Sequence, residues 1–411
     1  MSWSPGHASD DVIVLGAGVV GVATAHALAR RGATVRLVDR GAGPGQGASF
    51  ANGAQLSYAY VDALAAPALL AKLPKLALGL DPLFRLSPGF DPGFYAWLAA
   101  FLREMTAARF ARNTLEVLAL ALESQAAMQA LLARDPIAFD HAVPGKMHLY
   151  YDAGSLAAAA RTVALKQRYG VAQAVLSTEA AIAIEPALVQ ARGLAGVVHS
   201  PTDAVGDARK FCERLLELCE RDLGLVARFG AEAVAIERIA GRWMLRLADG
   251  ETLGARRLVL CAGPQARSLG HKLGLRLPIQ PMKGYSFTAP PGPEAPAVSI
   301  TDTRRKIVFC RLGGRMRVAG LAELGARDAT IDPARASLVR QLAREALPQA
   351  ADYDAIESEW AGLRPMTPSS QPIVRWVDPG LAVNVGHGML GWTLAMGSAA
   401  RLADAMPALR S

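Results

Sequence analysis

Val12-Ile13-Val14-Leu15-Gly16-Ala17-Gly18-Val19-Val20-Gly21 is the stretch from which the rest of the chain can be read. Four consecutive apolar residues are the mark of a strand buried on both faces. They run straight into a G-x-G-x-x-G loop. An Ala-rich helical stretch, Val22 to Arg31, follows and closes at Gly32. A second strand, Thr34-Val35-Arg36-Leu37-Val38, ends at Asp39 and Arg40. This is a complete βαβ unit with a dinucleotide fingerprint in its proper context. Gly16 permits the tight turn, Gly18 lets phosphate approach the backbone, and Gly21 lets helix pack on strand. Val19 and Val20 open the helix, whose N-terminal N–H groups and positive dipole end face the phosphates. A carboxylate at Asp39 accepts hydrogen bonds from a ribose diol.

The unit alone does not choose between a nicotinamide and a flavin dinucleotide. Gly47-Ala48-Ser49-Phe50-Ala51-Asn52-Gly53-Ala54-Gln55 is rich in small polar residues, with Ser49, Asn52 and Gly53 as donors and close-approach positions for a long ligand. Val234, on the strand Val226 to Ile236, is a further candidate contact. Much later, Leu258 to Cys261 reads as a buried strand ending in Ala262-Gly263-Pro264, a turn that admits close backbone approach. Distant segments converging on one cofactor point to FAD. Covalent attachment is not expected, because His26, inside the first helix, is the one His or Cys between Val12 and Gln55.

The 411 residues are 52% apolar and 19% charged, a composition that supports two or three packed domains and excludes disordered or collagenous classes. The net charge of +8 is scattered, with no basic run interleaved with aromatics, so nucleic acid is not an expected partner. Cys212, Cys219, Cys261 and Cys310 form no C-x-x-C pair, and no Cys/His spacing suits a metal. Cys212 and Cys219 are expected on one buried helix face. Met1 to Asp10 reads as a leader without the pattern of a signal peptide. No window offers the uninterrupted apolar run of a spanning helix. Ala63 to Leu80, Leu83 to Phe90 and Phe94 to Leu102 suit either a buried Leu-rich helix pair or a face lying on a membrane, with Lys72 and Lys75 toward phosphates. A cytoplasmic location, peripheral on the inner face of the membrane in the second case, is expected.

Three further stretches carry a family resemblance: Pro281-Met282-Lys283-Gly284-Tyr285-Ser286, Gly362-Leu363-Arg364-Pro365-Met366-Thr367-Pro368, and Asn384-Val385-Gly386-His387-Gly388-Met389-Leu390-Gly391-Trp392-Thr393. With Ala51 to Gln55, they make the chain resemble the D-amino-acid oxidase superfamily, and most closely its D-amino-acid dehydrogenase branch, from about Val12 to about Ala405. The resemblance implies non-covalent FAD and hydride transfer from a D-amino acid, or a D-proline or hydroxyproline-type imino acid, to flavin N5, with a quinone-type acceptor. It implies that Arg364 clamps the substrate carboxylate, a role a guanidinium fills through two parallel hydrogen bonds. It places Gly386, His387, Gly388, Leu390 and Gly391 at the flavin, where a helix N-terminus stabilises reduced anionic flavin. Tyr285 and Tyr58 are candidates for the substrate wall, and Lys283 holds water or pairs with an acid. Arg311 matches an arginine of similar sequences or is a strand-surface charge. Ser369-Ser370 replaces the family's usual Asp-Gly, and Ser57 to Asp62 departs from its usual Ser-Pro-Gly-Tyr.

The fold expected is α/β, α+β overall. A discontinuous Rossmann-like FAD-binding domain takes residues 10–56, 153–275 and 362–408. A substrate domain with a mixed or antiparallel sheet and flanking helices takes 57–152 and 277–361. An FAD-dependent 2-hydroxy-acid or secondary-amine oxidoreductase, sarcosine- or glycine-like, uses the same carboxylate clamp. A flavin subunit docked in a multisubunit electron-transfer complex is the reading from a different class.

Overall fold

The computed structural model describes residues 10–87 and 89–408, so most of the leader 1–10 lies outside the described residues. β1 (Asp10–Leu15), α1 (Val19–Ala29) and β2 (Val35–Val38) form the βαβ unit, with β1 parallel to β2 in the register Val12↔Val35 to Leu15↔Val38. β1 also runs parallel to Thr252–Leu260, and that strand runs parallel to Leu381–Val385. Antiparallel additions at the edges make an eight-stranded sheet. Val12–Leu15, Arg257–Leu260 and Leu381–Val385 at its centre are buried throughout, as parallel strands covered on both faces must be.

α1 is apolar all round and is sandwiched between this sheet and two further helices, Ala208–Leu223 and Gly391–Asp404. Asp207 caps the first of these by accepting from the Arg209 and Lys210 amides at 3.0 and 3.1 Å, and Gly224 closes it at φ 62°. Cys212 and Cys219 are both buried on its core face. The long helix Ala107–Arg134 is apolar and long enough to cross a bilayer. It is instead packed: a Cβ on Gly397 would lie 2.7 Å from the Leu120 carbonyl, so backbone meets backbone.

The second sheet has nine strands, in the order Ser358–Met366, Gln280–Ala289, Arg315–Leu324, Ile307–Leu312, Ser299–Asp302, Lys146–Tyr150, Gly196–Ser200 and Ala174–Leu176, with Phe84–Leu86 added to the third. Two boundaries differ from the sequence expectation. Ala174–Leu176 and Gly196–Ser200, assigned by sequence to the dinucleotide-binding half, pair antiparallel with this sheet. Gly362 likewise falls in the middle of a strand of this sheet, paired with Gly284, and is no domain boundary. Both pairings are made with strands far away in sequence, which local patterning does not report. The strand expected over Val226 to Ile236 is two, Val226–Arg228 and Ala233–Ile239, broken at Gly230 with φ 64°.

Candidate active site

A cavity of about 1660 Å³ lies between the carboxyl ends of the parallel strands of the first sheet and one face of the second. A single small ligand usually takes ~300–1,000 Å³, so this space holds a dinucleotide with room for a second molecule. It also lies where ligands of open α/β sheets bind.

At the dinucleotide end, Gly16 has φ 110°, and a Cβ there would lie 2.5 Å from the Cys261 carbonyl. A Cβ on Gly21 would lie 1.7 Å from the Gly16 carbonyl, so helix and strand touch only because residue 21 is glycine. Gly18 starts the helix without a side-chain cap, and nothing lies nearer its missing Cβ than Ser49 Oγ at 3.6 Å. Ser49 itself accepts from the Val19 amide at 3.1 Å. Val20 and the exposed Arg40 border the same space. The Asp39 carboxylate accepts from the Ala17 amide at 2.6 Å and the Gly41 amide at 2.7 Å, each oxygen keeping a further lone pair for a ribose. Asn52 accepts from the Ala54 amide at 2.9 Å, and Gly53 presents bare backbone. Ala262 and Gly263 close the cradle from the end of Thr252–Leu260. Val234 does not border the cavity. Its side chain is exposed, and Glu232 and Ala233 border the cavity in its place, because the chain turns away as the edge strand begins. The rest of this set fits FAD: an open helix N-terminus, a ribose carboxylate and close-approach glycines meet in one groove.

Gly386 and Gly388 both have positive φ, 79° and 56°, and carry the chain from Leu381–Val385 into the last helix. Leu390 and Gly391 border the cavity at that helix's start. His387 was expected to act on substrate or flavin. Its ring is buried instead, with Nε2 3.0 Å from Ser398 Oγ. Ser398 Oγ also lies 3.1 Å from the Ala395 carbonyl and accepts from the Asn384 side-chain amide at 3.3 Å. Burial pushes this imidazole down to about 3. The ring ties the glycine loop to the helix that follows, and His387 also borders the cavity.

At the other end, Arg364 leaves its strand and lies flat across Gly284, whose missing Cβ would stand 2.1 Å from Nη2. It donates to the Leu321 carbonyl at 3.2 Å. Leu321 holds φ 60°, a costly conformation for a branched residue, and a bulge in the pairing of Gln280–Ala289 with Arg315–Leu324 falls opposite it. Among the described residues no carboxylate lies within ion-pairing distance of Arg364. Burial lowers its affinity for its proton, to about 10, without removing the charge at neutral pH.

Tyr285 borders the cavity, but its hydroxyl donates to Glu323 at 3.1 Å, and Glu323 also accepts from Arg335 at 2.8 Å. The single O–H proton is thereby committed to Glu323, and the remaining hydroxyl lone pairs suit an amine N–H better than a carboxylate. One expected residue lies elsewhere: Tyr58 is buried in the helical core and does not reach the cavity. Lys283 is buried behind the cavity wall, its Nζ 5.7 Å from the centroid of the Tyr285 ring and 3.9 Å from Asp328, both of which border the cavity. Arg311 is an exposed strand residue. Sequence reasoning passed over Tyr60, which does border the cavity and stacks on His148 with ring centroids 3.3 Å apart. It also passed over Lys146, which donates to Ser57 at 2.6 Å and Gln55 at 2.9 Å, and Lys306. Lys146 stands on a strand and Lys306 in a turn, with no motif around either, so only the pairing of the second sheet brings them to the cavity.

The model of the FAD dependent oxidoreductase family, DAO, matches residues 11–405. The chain is 41% identical to D-amino acid dehydrogenase 2 of Ralstonia nicotianae, covering 96% of this chain and 95% of that one. It is 40% identical to a D-amino acid dehydrogenase of Paramagnetospirillum magneticum, over 96% and 94%. Among solved structures, glycine oxidase from Geobacillus kaustophilus superposes with a TM-score of 0.76 at 22% identity over 97% and 95% of the two chains. L-proline dehydrogenase from P. horikoshii does so with a TM-score of 0.74 at 15% identity over 96% and 92%. From the glycine cradle to the last helix, the chain belongs to the DAO family of FAD-dependent oxidoreductases.

Proposed function

We propose that this protein is a D-amino-acid dehydrogenase, converting D-amino acids oxidatively to 2-oxo acids and ammonia. The observation that carries the reading is Arg364: an unpaired guanidinium on the wall of the cavity that the FAD cradle opens into. The names of the relatives at about 40% identity support the substrate class. FAD held in the glycine cradle would supply the acceptor for the hydride of the substrate Cα. Arg364 holds the α-carboxylate through two hydrogen bonds, and Gly284 gives the guanidinium the space to lie flat. Tyr285, its proton held by Glu323, accepts from the substrate amine, so carboxylate and amine together fix which way the Cα–H points. The imino product is released and hydrolysed by water.

The acceptor in this reading is a quinone, and the protein is cytoplasmic and peripheral to the membrane. Leu70, Leu78, Leu80 and Phe90 are exposed near Lys72 and Lys75, and Leu69, Leu73, Phe84 and Trp97 of the same segment border the cavity. An apolar rim with flanking lysines supports contact with anionic lipid. The test of the catalytic reading is anaerobic flavin bleaching with D- and L-amino acids, D-proline derivatives and 2-hydroxy acids. Rapid bleaching by D-amino acids, lost in Arg364→Met, is the expected result. Bleaching by hydroxy acids alone refutes it.

A further inference from the structure

Two cations share one wall of the cavity, and neither has a carboxylate within ion-pairing distance among the described residues. Arg364 reaches across Gly284 to the Leu321 carbonyl. The neighbouring residue, Gly320, sits opposite Ile307 in the next strand, and a Cβ on it would lie 3.0 Å from the Lys306 carbonyl. Lys306 is therefore about one strand spacing, ~5 Å, beyond the carbonyl that Arg364 touches. Its side chain borders the same cavity.

The acids nearby make no ion pair with it, although Asp81 and Asp302 favour its charged form. Asp62 is taken by Lys166 at 2.8 Å. Asp302 is taken by Arg305 at 2.9 Å and by the Tyr151 hydroxyl at 2.7 Å. Asp81 accepts from the Leu83 amide at 2.9 Å. Lys72 faces Lys306 with like charge, and burial with Lys72 lowers the Lys306 amine below the usual lysine range. Lys306 also holds φ 58°, a conformation that favours glycine or asparagine. The remaining wall is polar as well: Thr301 and His148 are cross-strand neighbours bordering the cavity beside Val308. Lys306 is exposed and Arg364 half-buried where they border this cavity, so both charges stand open to an anionic ligand.

We propose that Lys306 forms a second anionic subsite, and that the preferred substrates are D-amino acids with a side-chain carboxylate, D-glutamate and D-aspartate. The proposal rests on Arg364 as the α-carboxylate clamp. The side-chain carboxylate meets Lys306, a specificity-determining residue that takes no part in the hydride or proton steps.

The experiment uses the FAD-loaded enzyme and two unreactive probes, glutarate and butyrate, whose binding is read from the perturbed flavin spectrum. Glutarate is expected to bind at least about tenfold tighter than butyrate. Lys306→Met should weaken glutarate about 30-fold, leave butyrate unchanged, and lower kcat/KM for D-glutamate but not D-glutamine. Lys306→Arg should restore most of the difference. Equal binding of the two probes by the unmodified enzyme, or an equal loss of both in Lys306→Met, overturns the subsite. If binding is equal but lost in Arg364→Met, the subsite fails and the clamp stands. If neither probe responds to Arg364→Met, both readings fail.

Discussion

Gly284→Ala tests the clamp without touching any group that contacts substrate. A Cβ at this position would lie 2.1 Å from Nη2, 2.3 Å from Cζ and 2.6 Å from Nη1 of Arg364. Ordinary contact begins near 3.4 Å, so the whole guanidinium must lift by about 1 Å or more. The bond to the Leu321 carbonyl, already 3.2 Å long, is then lost. Misplacing an orienting group by ~1 Å costs about 100-fold in rate, and losing charge-assisted hydrogen bonds costs ~1.5–3 kcal/mol each. We therefore expect about a 100-fold fall in the rate constant for anaerobic flavin reduction per unit of D-amino acid, with carboxylate inhibitors weakened to a similar degree. Gly284 has no positive φ, so alanine brings no backbone strain and the thermal transition should move little. Wild-type inhibitor affinity in Gly284→Ala would refute the placement of Arg364. A collapse in stability would show that the clash is absorbed by the sheet and not by the side chain.

The buried, neutral His387 makes stability depend on pH. Its imidazole sits at about 3 against 6.5 in an unfolded chain, so its contribution is complete above pH 6.5 and is lost as pH falls toward 3. His26, at about 4, and His148 act in the same sense, whereas Asp203, raised to about 6, acts oppositely between pH 3.8 and 6. The difference in melting temperature between the unmodified chain and His387→Gln should thus narrow from pH 7 to pH 4; a constant difference would contradict the assignment. Tyr285→Phe should leave the affinity for simple carboxylates within about threefold, because the hydroxyl proton serves Glu323, and should slow flavin reduction instead. An inhibitor affinity that falls tenfold or more would put the hydroxyl back on the carboxylate.

What was legible in the chain was local. The turn at Gly16, the capless helix start at Gly18 and the carboxylate of Asp39 lie within one βαβ unit, and each has a conformational reason that composition exposes. Arg364 was legible through the family resemblance, since a guanidinium in a turn-prone stretch is ordinarily only solvated. Its neighbour Gly284 was quoted as part of the same resemblance, but the reason for it is a contact between two strands separated by most of a domain. Tyr58 and Tyr60 show the limit most directly. They sit in irregular chain, where no period of two or 3.6 assigns faces. A remote interaction decides between them: Asp203 accepts from the Ala59 amide at 2.7 Å, and with that carboxylate as anchor one tyrosine enters the core and the other the cavity. Lys146 and Lys306 were invisible for the same reason. Ala174–Leu176 was misassigned because three residues are too few for patterning to reveal their partner.

Backbone strain offers an independent reading of where function sits. Among the described residues, the non-glycine residues with positive φ are Ala54, Asp140, Ala240, Lys306, Leu321 and Ser370. Four of them, Ala54, Lys306, Leu321 and Ser370, border the one cavity. Such conformations cost ~1–3 kcal/mol each and persist where the surroundings impose them. At Lys306 the cost can be separated from the chemistry. Lys306→Ala and Lys306→Gly both remove the cation and should both lose the preference for a dicarboxylate. They differ in that alanine keeps the left-handed strain and glycine does not. Against that, glycine adds entropy to the unfolded chain, ~0.4–1 kcal/mol, while the strain at one residue is ~1–2 kcal/mol. Glycine should therefore be the more stable of the two by about 0.5–1 kcal/mol in denaturant unfolding. If alanine is the more stable, Lys306 is not strained in solution, and the strain argument for this end of the cavity fails while the charge argument is untouched.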